Sequence, residues 1–169
     1  NRTYYVRDGL LSNQFNAYSS HCSDMYGNLY FGGLGGVTYF DPTNVSDNQD
    51  AFPPIITGLK LFNVEVKSSD ATGILKTHIT LADSIELRHD QNSITLSFAC
   101  TDYASGGRNR FRYKMEGIDK DWIDADTRTV TYNNIDKGSY CFLLEASNSD
   151  GVWSPQRARL HIKVHPVWY

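Results

Sequence analysis

Between residues 129 and 155 the chain alternates apolar and polar positions in two runs broken by a polar corner. This is the pattern of two antiparallel strands with one buried face. Val130 and Tyr132 alternate with Thr129 and Thr131, and Tyr140, Phe142, Leu144 and Ala146 then recur at every second residue. The corner between them is Asn133-Asn134-Ile135-Asp136-Lys137-Gly138. Gly138 can take a positive φ there, and the Asn and Asp side chains can hydrogen-bond their own backbone. Tyr140 follows the corner directly, where a sandwich tyrosine sends its ring into the core and its hydroxyl back to the upstream backbone.

The same period recurs in both directions. Strands are predicted over residues 55–66, 84–88, 93–101, 110–116, 130–132, 140–146 and 159–164. In residues 110–116, Phe111, Tyr113 and Met115 alternate against Arg110, Arg112 and Lys114. About seven short strands with turn signals between them predict an immunoglobulin or fibronectin III-like β-sandwich. Residues 1–41 follow another pattern, in which short strands at 3–6, 15–23, 29–32 and 37–41 with tight turns at 24–28 and 33–36 predict a partial β-propeller blade. Residues 42–54 end in Pro53-Pro54 and read as a polar linker. The fold class is therefore all-β, divided as 1–41 (blade), 42–54 (linker) and 55–169 (sandwich). A lone blade exposes strand edges and an apolar face, so it is expected to pair, for instance with the same segment of a second chain.

Composition agrees: eleven tyrosines and eight phenylalanines against two methionines favour strands. The net charge of −3 comes from signs interspersed along the chain. With no basic stripe in the sequence, nucleic acid is not the expected partner. No window approaches the ~20 apolar residues of a membrane span, so the piece itself is expected to be soluble. Asn1 at the start and the aromatic run Val167-Trp168-Tyr169 at the end point to a piece of a longer protein.

Two stretches resemble known families. Gly9-Leu10-Leu11-Ser12-Asn13, then Asp24-x-x-Gly27-x-Leu29-Tyr30-Phe31-Gly32 and Gly36-Val37-x-x-Phe40-Asp41-Pro42, resemble the propeller repeat of bacterial two-component sensor ectodomains. Family members often carry Trp where Tyr30 stands and Thr where Gly33 stands. Only one repeat is present, so it looks like the last blade of a propeller. Residues 55–169 resemble the triple-tyrosine (Y_Y_Y) domain. The likeness is carried by Leu96-Ser97-Phe98-Ala99, Asp102-Tyr103, Tyr113-Lys114-Met115-Glu116-Gly117, Asp119-Lys120-Asp121-Trp122, Thr131-Tyr132-Asn133-Asn134, Gly138-x-Tyr140 and Ala146-Ser147-Asn148-Ser149-Asp150-Gly151-x-Trp153. Cys100 and Cys141 depart from it, where small or ordinary strand residues are usual. The resemblance implies a domain between a periplasmic propeller and a transmembrane helix leading to a histidine kinase, frequently a hybrid sensor of polysaccharide-using gut bacteria.

Candidate chemistry is sparse. Asp119, Asp121, Asp124 and Asp126 alternate as calcium-loop ligands do, but Asp124 stands where the loop needs glycine and Val130 where it needs a bidentate glutamate. No metal is expected. Gly32, Gly33, Gly35 and Gly36 lack phosphate-loop spacing and no helix follows. His21, His78, His89, His161 and His165 show no ligand spacing. Cys100 shares a face with Ile94, Leu96 and Phe98, whereas Cys141 lies opposite Tyr140, Phe142 and Leu144, so with Cys22 all three are expected as free thiols. Trp153 is expected to pack rather than stack on sugar, on the Y_Y_Y likeness, and Trp168 and Tyr169 look like a membrane-surface aromatic belt.

No catalytic, cofactor-binding or metal site is named, no cofactor is expected, and ligand-binding residues are left unknown. The expected function is that of a membrane-proximal periplasmic part of an inner-membrane sensor histidine kinase. It would relay carbohydrate binding on an upstream propeller to a downstream transmembrane helix by rearrangement of a homodimer. The alternative is a secreted carbohydrate-binding or adhesion module with a fibronectin-like fold. This piece is not expected to be an enzyme.

Overall fold

Apolar residues at every second position place their side chains on one face, and two such faces close on one another in residues 49–167. One sheet is four-stranded, in the order β10-β7-β4-β5, from β4 (Pro54–Leu61), β5 (Val64–Glu65), β7 (Ile94–Cys100) and β10 (Thr129–Tyr132). The other is five-stranded, in the order β6-β12-β11-β8-β9, from β6 (Ser84–Leu87), β8 (Arg110–Glu116), β9 (Ile123–Asp124), β11 (Gly138–Ser147) and β12 (Ala158–Val164). Leu59, Leu96 and Phe98 from the first sheet share a buried core with Met115, Phe142, Leu144, Leu160 and Ile162 from the second. This all-β sandwich is what the alternation predicts.

The computed structural model describes residues 3–6, 10–16, 20–45, 48–102 and 107–167. The chain divides into two compact units, Asn1–Asn48 and Gln49–Tyr169. Among the described residues there is no α-helix, and a 3₁₀ turn spans Ile79–Leu81.

Two strand expectations fail in instructive ways. Residues 55–66 are not one strand: β4 turns into β5 through Phe62 (φ 47°) and Asn63 (φ 65°). Two successive left-handed residues make the tight reversal that suits a two-residue hairpin. Phe62 hid it by continuing the apolar run. Residues 3–6 form no strand either. The Val6 amide donates to Asn13 Oδ1 at 2.6 Å, a side-chain bond that competes with a sheet ladder. In addition, β12 lies beside β6 in parallel register, with Ile162 opposite Ile85.

The first unit contains the antiparallel sheet β1 (His21–Ser23), β2 (Leu29–Gly33) and β3 (Gly36–Phe40), in that order. Asp24 organises the β1–β2 turn. Its carboxylate accepts from the amides of Tyr26 and Asn28, the Asn28 side chain and the Tyr30 hydroxyl. Hydrogen bonding led by Asn28 holds its pKa below the usual carboxylate value. The glycine-rich loop is the β2–β3 turn, with Gly33 opposite Gly36 and Gly35 at φ 110°. The predicted strand 15–23 is represented by a bridge from Phe15 to Gly33 and by β1; residues 17–19 lie outside the described set.

Candidate functional site

The tyrosine expected at the corner does its job. Tyr140 donates from its hydroxyl to the Asp136 carbonyl at 3.0 Å. The left-handed residue of that corner is Asn134 (φ 55°), while Gly138 has φ 159°, positive but close to extended, and its missing side chain serves a second purpose. A β-carbon on Gly138 would lie 3.2 Å from the Tyr140 hydroxyl oxygen, and one on Gly117 would lie 2.8 Å from its ring. Both glycines make room for the ring.

Tyr132 and Tyr113 complete an aromatic group with Phe142. Ring centroids are 6.3 Å apart for Tyr113–Tyr132, 6.1 Å for Tyr113–Phe142 and 6.4 Å for Tyr132–Phe142. The Tyr132 hydroxyl donates to Asp119 Oδ2 at 2.6 Å, and the same oxygen accepts from the Met115 amide at 2.7 Å. Burial, then that bond, pushes the Tyr132 hydroxyl far above its ordinary value of 10.0. Burial also raises Tyr113. The first member of the acidic run is thus committed to pinning β10 against the end of β8. Among the described residues no group of three or more His, Cys, Asp or Glu side chains is arranged to hold a metal ion.

The most organised polar cluster lies on the outer face of the five-stranded sheet and was not singled out by the sequence. Glu145, on β11 between the core residues Leu144 and Ala146, points away from the core yet is only 6% exposed. Two arginines and two tryptophans cover it. Arg112 on β8 donates from Nε to Glu145 Oε2 at 2.6 Å, and Arg157 Nη2 lies 2.9 Å from Oε1. The Arg112 guanidinium is 4.3 Å from the Trp153 ring centre and 5.2 Å from that of Trp122; Arg157 is 5.6 Å from Trp122. Such cation–π contacts suit arginine's flat, weakly hydrated head. Trp153 is half-buried beneath Arg112 and bridges to Ser147, so packing is what it does here.

On the same face two rows of cations run along β8 and β12, on either side of β11. Arg110, Arg112 and Lys114 form one row, and Arg159 and Lys163 form the other with His161 between them. In sequence these rows are interspersed with apolar core residues and lie far apart. Antiparallel pairing of β11 with both strands is what assembles them.

Other expected positions are quickly placed. Cys22, Cys100 and Cys141 are free; Cys100 packs against the core, and burial first, then Glu116, pushes the Cys141 thiol up. His165 Nε2 lies 2.8 Å from Glu86 Oε2, His78 accepts from the Thr80 amide, and His161 is exposed. The end of the predicted linker is fastened to the sandwich. The nearly inaccessible Asn148 donates to the Asp50 carbonyl at 2.9 Å and Cys100 to the Phe52 carbonyl at 3.3 Å. Asp8, Gly9, Tyr103, Trp168 and Tyr169 lie outside the described residues. In the first unit, Tyr4, Phe15, Phe31, Tyr39 and Phe40 line an open apolar groove of about 470 Å³.

Residues 102–165 match the Y_Y_Y domain, a span holding β8 to β12, while β4 to β7 complete the sandwich. Among curated proteins, Histidine kinase P4 of Formosa agariphila is 31% identical over 164 residues, which is 97% of this chain and 12% of that protein. Among solved structures, the extracellular domain of a hybrid two-component system from B. thetaiotaomicron is 27% identical with a TM-score of 0.73, covering 96% of this chain and 22% of that one. A second extracellular domain from the same organism, described as that of a one-component system, is 26% identical with a TM-score of 0.65, covering 92% and 22%. The chain therefore spans about an eighth to a fifth of the length of these relatives. The match to the Y_Y_Y domain over residues 102–165 thus lies within a chain similar to the extracellular domains of two-component sensors and to a histidine kinase.

Proposed function

We propose that this chain is the membrane-proximal part of a periplasmic sensor ectodomain of a histidine kinase anchored in the inner membrane. Residues 1–41 would be the last blade of a propeller, 42–54 the connection and 55–169 the relay sandwich. The observation that carries this reading is the likeness to a two-component extracellular domain at 27% identity over 96% of the chain. The exposed apolar groove of the first unit supports a blade that packs against a neighbouring one. On the family resemblance, the primary ligand is a carbohydrate held on the propeller. Its binding would shift two sandwiches of a homodimer between two rigid-body arrangements, provided it prefers one of them. Two fastenings suit the sandwich to relaying such a shift. Residues 50–52 are bonded to its core end, and His165 is bonded to Glu86 beside the exit of β12.

The test is the native reading frame beyond Tyr169. An apolar run of ~20 residues followed by a kinase is expected. A stop codon, or a polar linker into another secreted domain, would overturn the relay reading in favour of a secreted binding module.

A further inference from the structure

The outer face of the five-stranded sheet has a charge pattern that the relay reading does not use. Arg110, Arg112 and Lys114 on β8 and Arg159 and Lys163 on β12 flank β11, and Arg157 joins them at one end. Four carboxylates share the face. Two are already engaged: Glu145 by Arg112 and Arg157, and Glu86 by His165. Asp124 on the edge strand β9 lies opposite Arg112, and Glu116 at the end of β8 lies opposite Cys141. The face thus carries more cations than carboxylates, on a chain where 19 Asp and Glu outnumber 16 Lys and Arg. Arg110 and Arg159 make no ion pair with a carboxylate among the described residues, whereas Lys163 lies opposite Glu86 and its charge helps hold that carboxyl below its ordinary value, after His165.

The geometry points to a binding surface for a linear anionic polysaccharide, one bearing carboxylate or sulfate groups, laid across the two basic rows that flank β11. Strands two apart in a sheet are separated by about 9–10 Å, and same-face residues along a strand by about 7 Å. The cations therefore form a ladder to either side of β11 and cover it, with the uncharged Leu143 only 6% exposed between them, so that a polymer would lie across their charged ends. Glu145 is engaged by two guanidiniums and Asp124 lies opposite one of them, so the open positive charge of the face is supplied by Arg110 and Arg159. Trp122 and Trp153 pack against the guanidiniums of Arg112 and Arg157 and hold them in place. The likeness to extracellular domains favours a glycan over a nucleic acid as the polyanion met. The surface stands independently of the relay reading, which the reading frame decides separately.

The test is a titration of this chain, followed by tryptophan fluorescence and calorimetry, with polygalacturonate, dextran sulfate, neutral dextran and duplex DNA. The chain's net charge of −3 makes indiscriminate attraction to polyanions a poor explanation of any binding seen. The expected result is binding to at least one of the two acidic glycans at 50 mM salt, at least tenfold weaker at 200 mM, with none to neutral dextran. The double variant Arg110→Gln/Arg159→Gln, which leaves the Glu145 cluster intact, should bind at least tenfold more weakly. Lys60→Gln/Lys67→Gln, away from this face, should bind as the parent does. No binding to either acidic glycan, equal loss in the two double variants, or affinity for DNA matching that for the glycans would each overturn the proposal. Circular dichroism of each variant separates loss of the surface from loss of the fold.

Discussion

Replacing Tyr132 by Phe removes one oxygen from the best-connected tyrosine of the sandwich and leaves its ring in place. The lost bond is the 2.6 Å donation to Asp119 Oδ2, whose acceptor is a carboxylate. Hydrogen bonds to charged groups contribute roughly 1.5–3 kcal/mol net. Tyr132 is only 9% exposed, so water replaces the donor poorly, whereas Asp119 keeps its 2.7 Å bond from the Met115 amide. About 2 kcal/mol is the expected loss at pH 7. A urea melt of parent and variant should therefore show a midpoint about 1 M lower with an unchanged slope. A second signature follows from the raised pKa of Tyr132. Above its ordinary pKa of 10.0 the unfolded chain gives up this proton while the folded chain keeps it. Stability from this group is thus fully present below pH ~10 and declines by up to ~1.4 kcal/mol per pH unit above it. Tyr113 titrates in both proteins, so the gap between them isolates Tyr132, and the two curves should converge between about pH 10 and 12. An unchanged midpoint at neutral pH, or a gap that persists undiminished at pH 11.5, would refute the reasoning.

Tyr140→Phe should cost less, about 1 kcal/mol, because its acceptor is an ordinary carbonyl; a loss equal to that of Tyr132→Phe in the same melt would reverse the assignment of the two roles. Glu145→Gln leaves two arginines facing a neutral amide and should cost roughly 2–3 kcal/mol, below the usual penalty for a fully buried pair because Arg112 and Arg157 can rehydrate. It should also change the tryptophan emission, and an unchanged spectrum with unchanged stability would show the cluster to be idle. Phe62→Asn relieves a left-handed aromatic residue that is mostly exposed and should raise stability by about 0.5–1 kcal/mol, checked by thermal unfolding. Under native conditions Cys22 should react with a thiol reagent well before Cys141, whose thiol is held protonated by burial; simultaneous reaction would contradict that placement.

Much of the sandwich was legible because most of its strands bury one face only, β11 being the exception, buried on both faces from Phe142 to Ser147. β7, β8, β10, β11 and β12 fall where the alternation places them, and the Tyr140 bond follows from a single corner. The Phe62–Asn63 reversal was invisible because turns are recognised by Gly, Pro, Asn and Asp, and an aromatic residue at the first turn position extends the apparent strand. β9 has two residues, Ile123 and Asp124, too few for any period to show. The outer-face cluster escaped for a different reason. Arg112, Trp122, Glu145, Trp153 and Arg157 belong to four segments, and only the register of β8 with β11 brings Arg112 beside Glu145. Likewise the two cation rows read as scattered charges until the sheet aligns them. Local pattern thus predicts strands, whereas a site built across strands needs their order and register.

The position of β12 has a consequence for how this domain is made. It is the last strand of the sandwich in sequence, yet it sits inside its sheet, antiparallel to β11 on one side and parallel to β6 on the other. Until residues 158–164 emerge, β6 has no partner in that sheet and β11 presents an open edge. Joining β6 to β12 closes a long loop of chain, the kind of non-local contact that slows folding. The second sheet is therefore completed only by its last strand in sequence, and a sandwich cut before Ala158 should be held together by its first sheet and the pairings of β8 with β9 and β11.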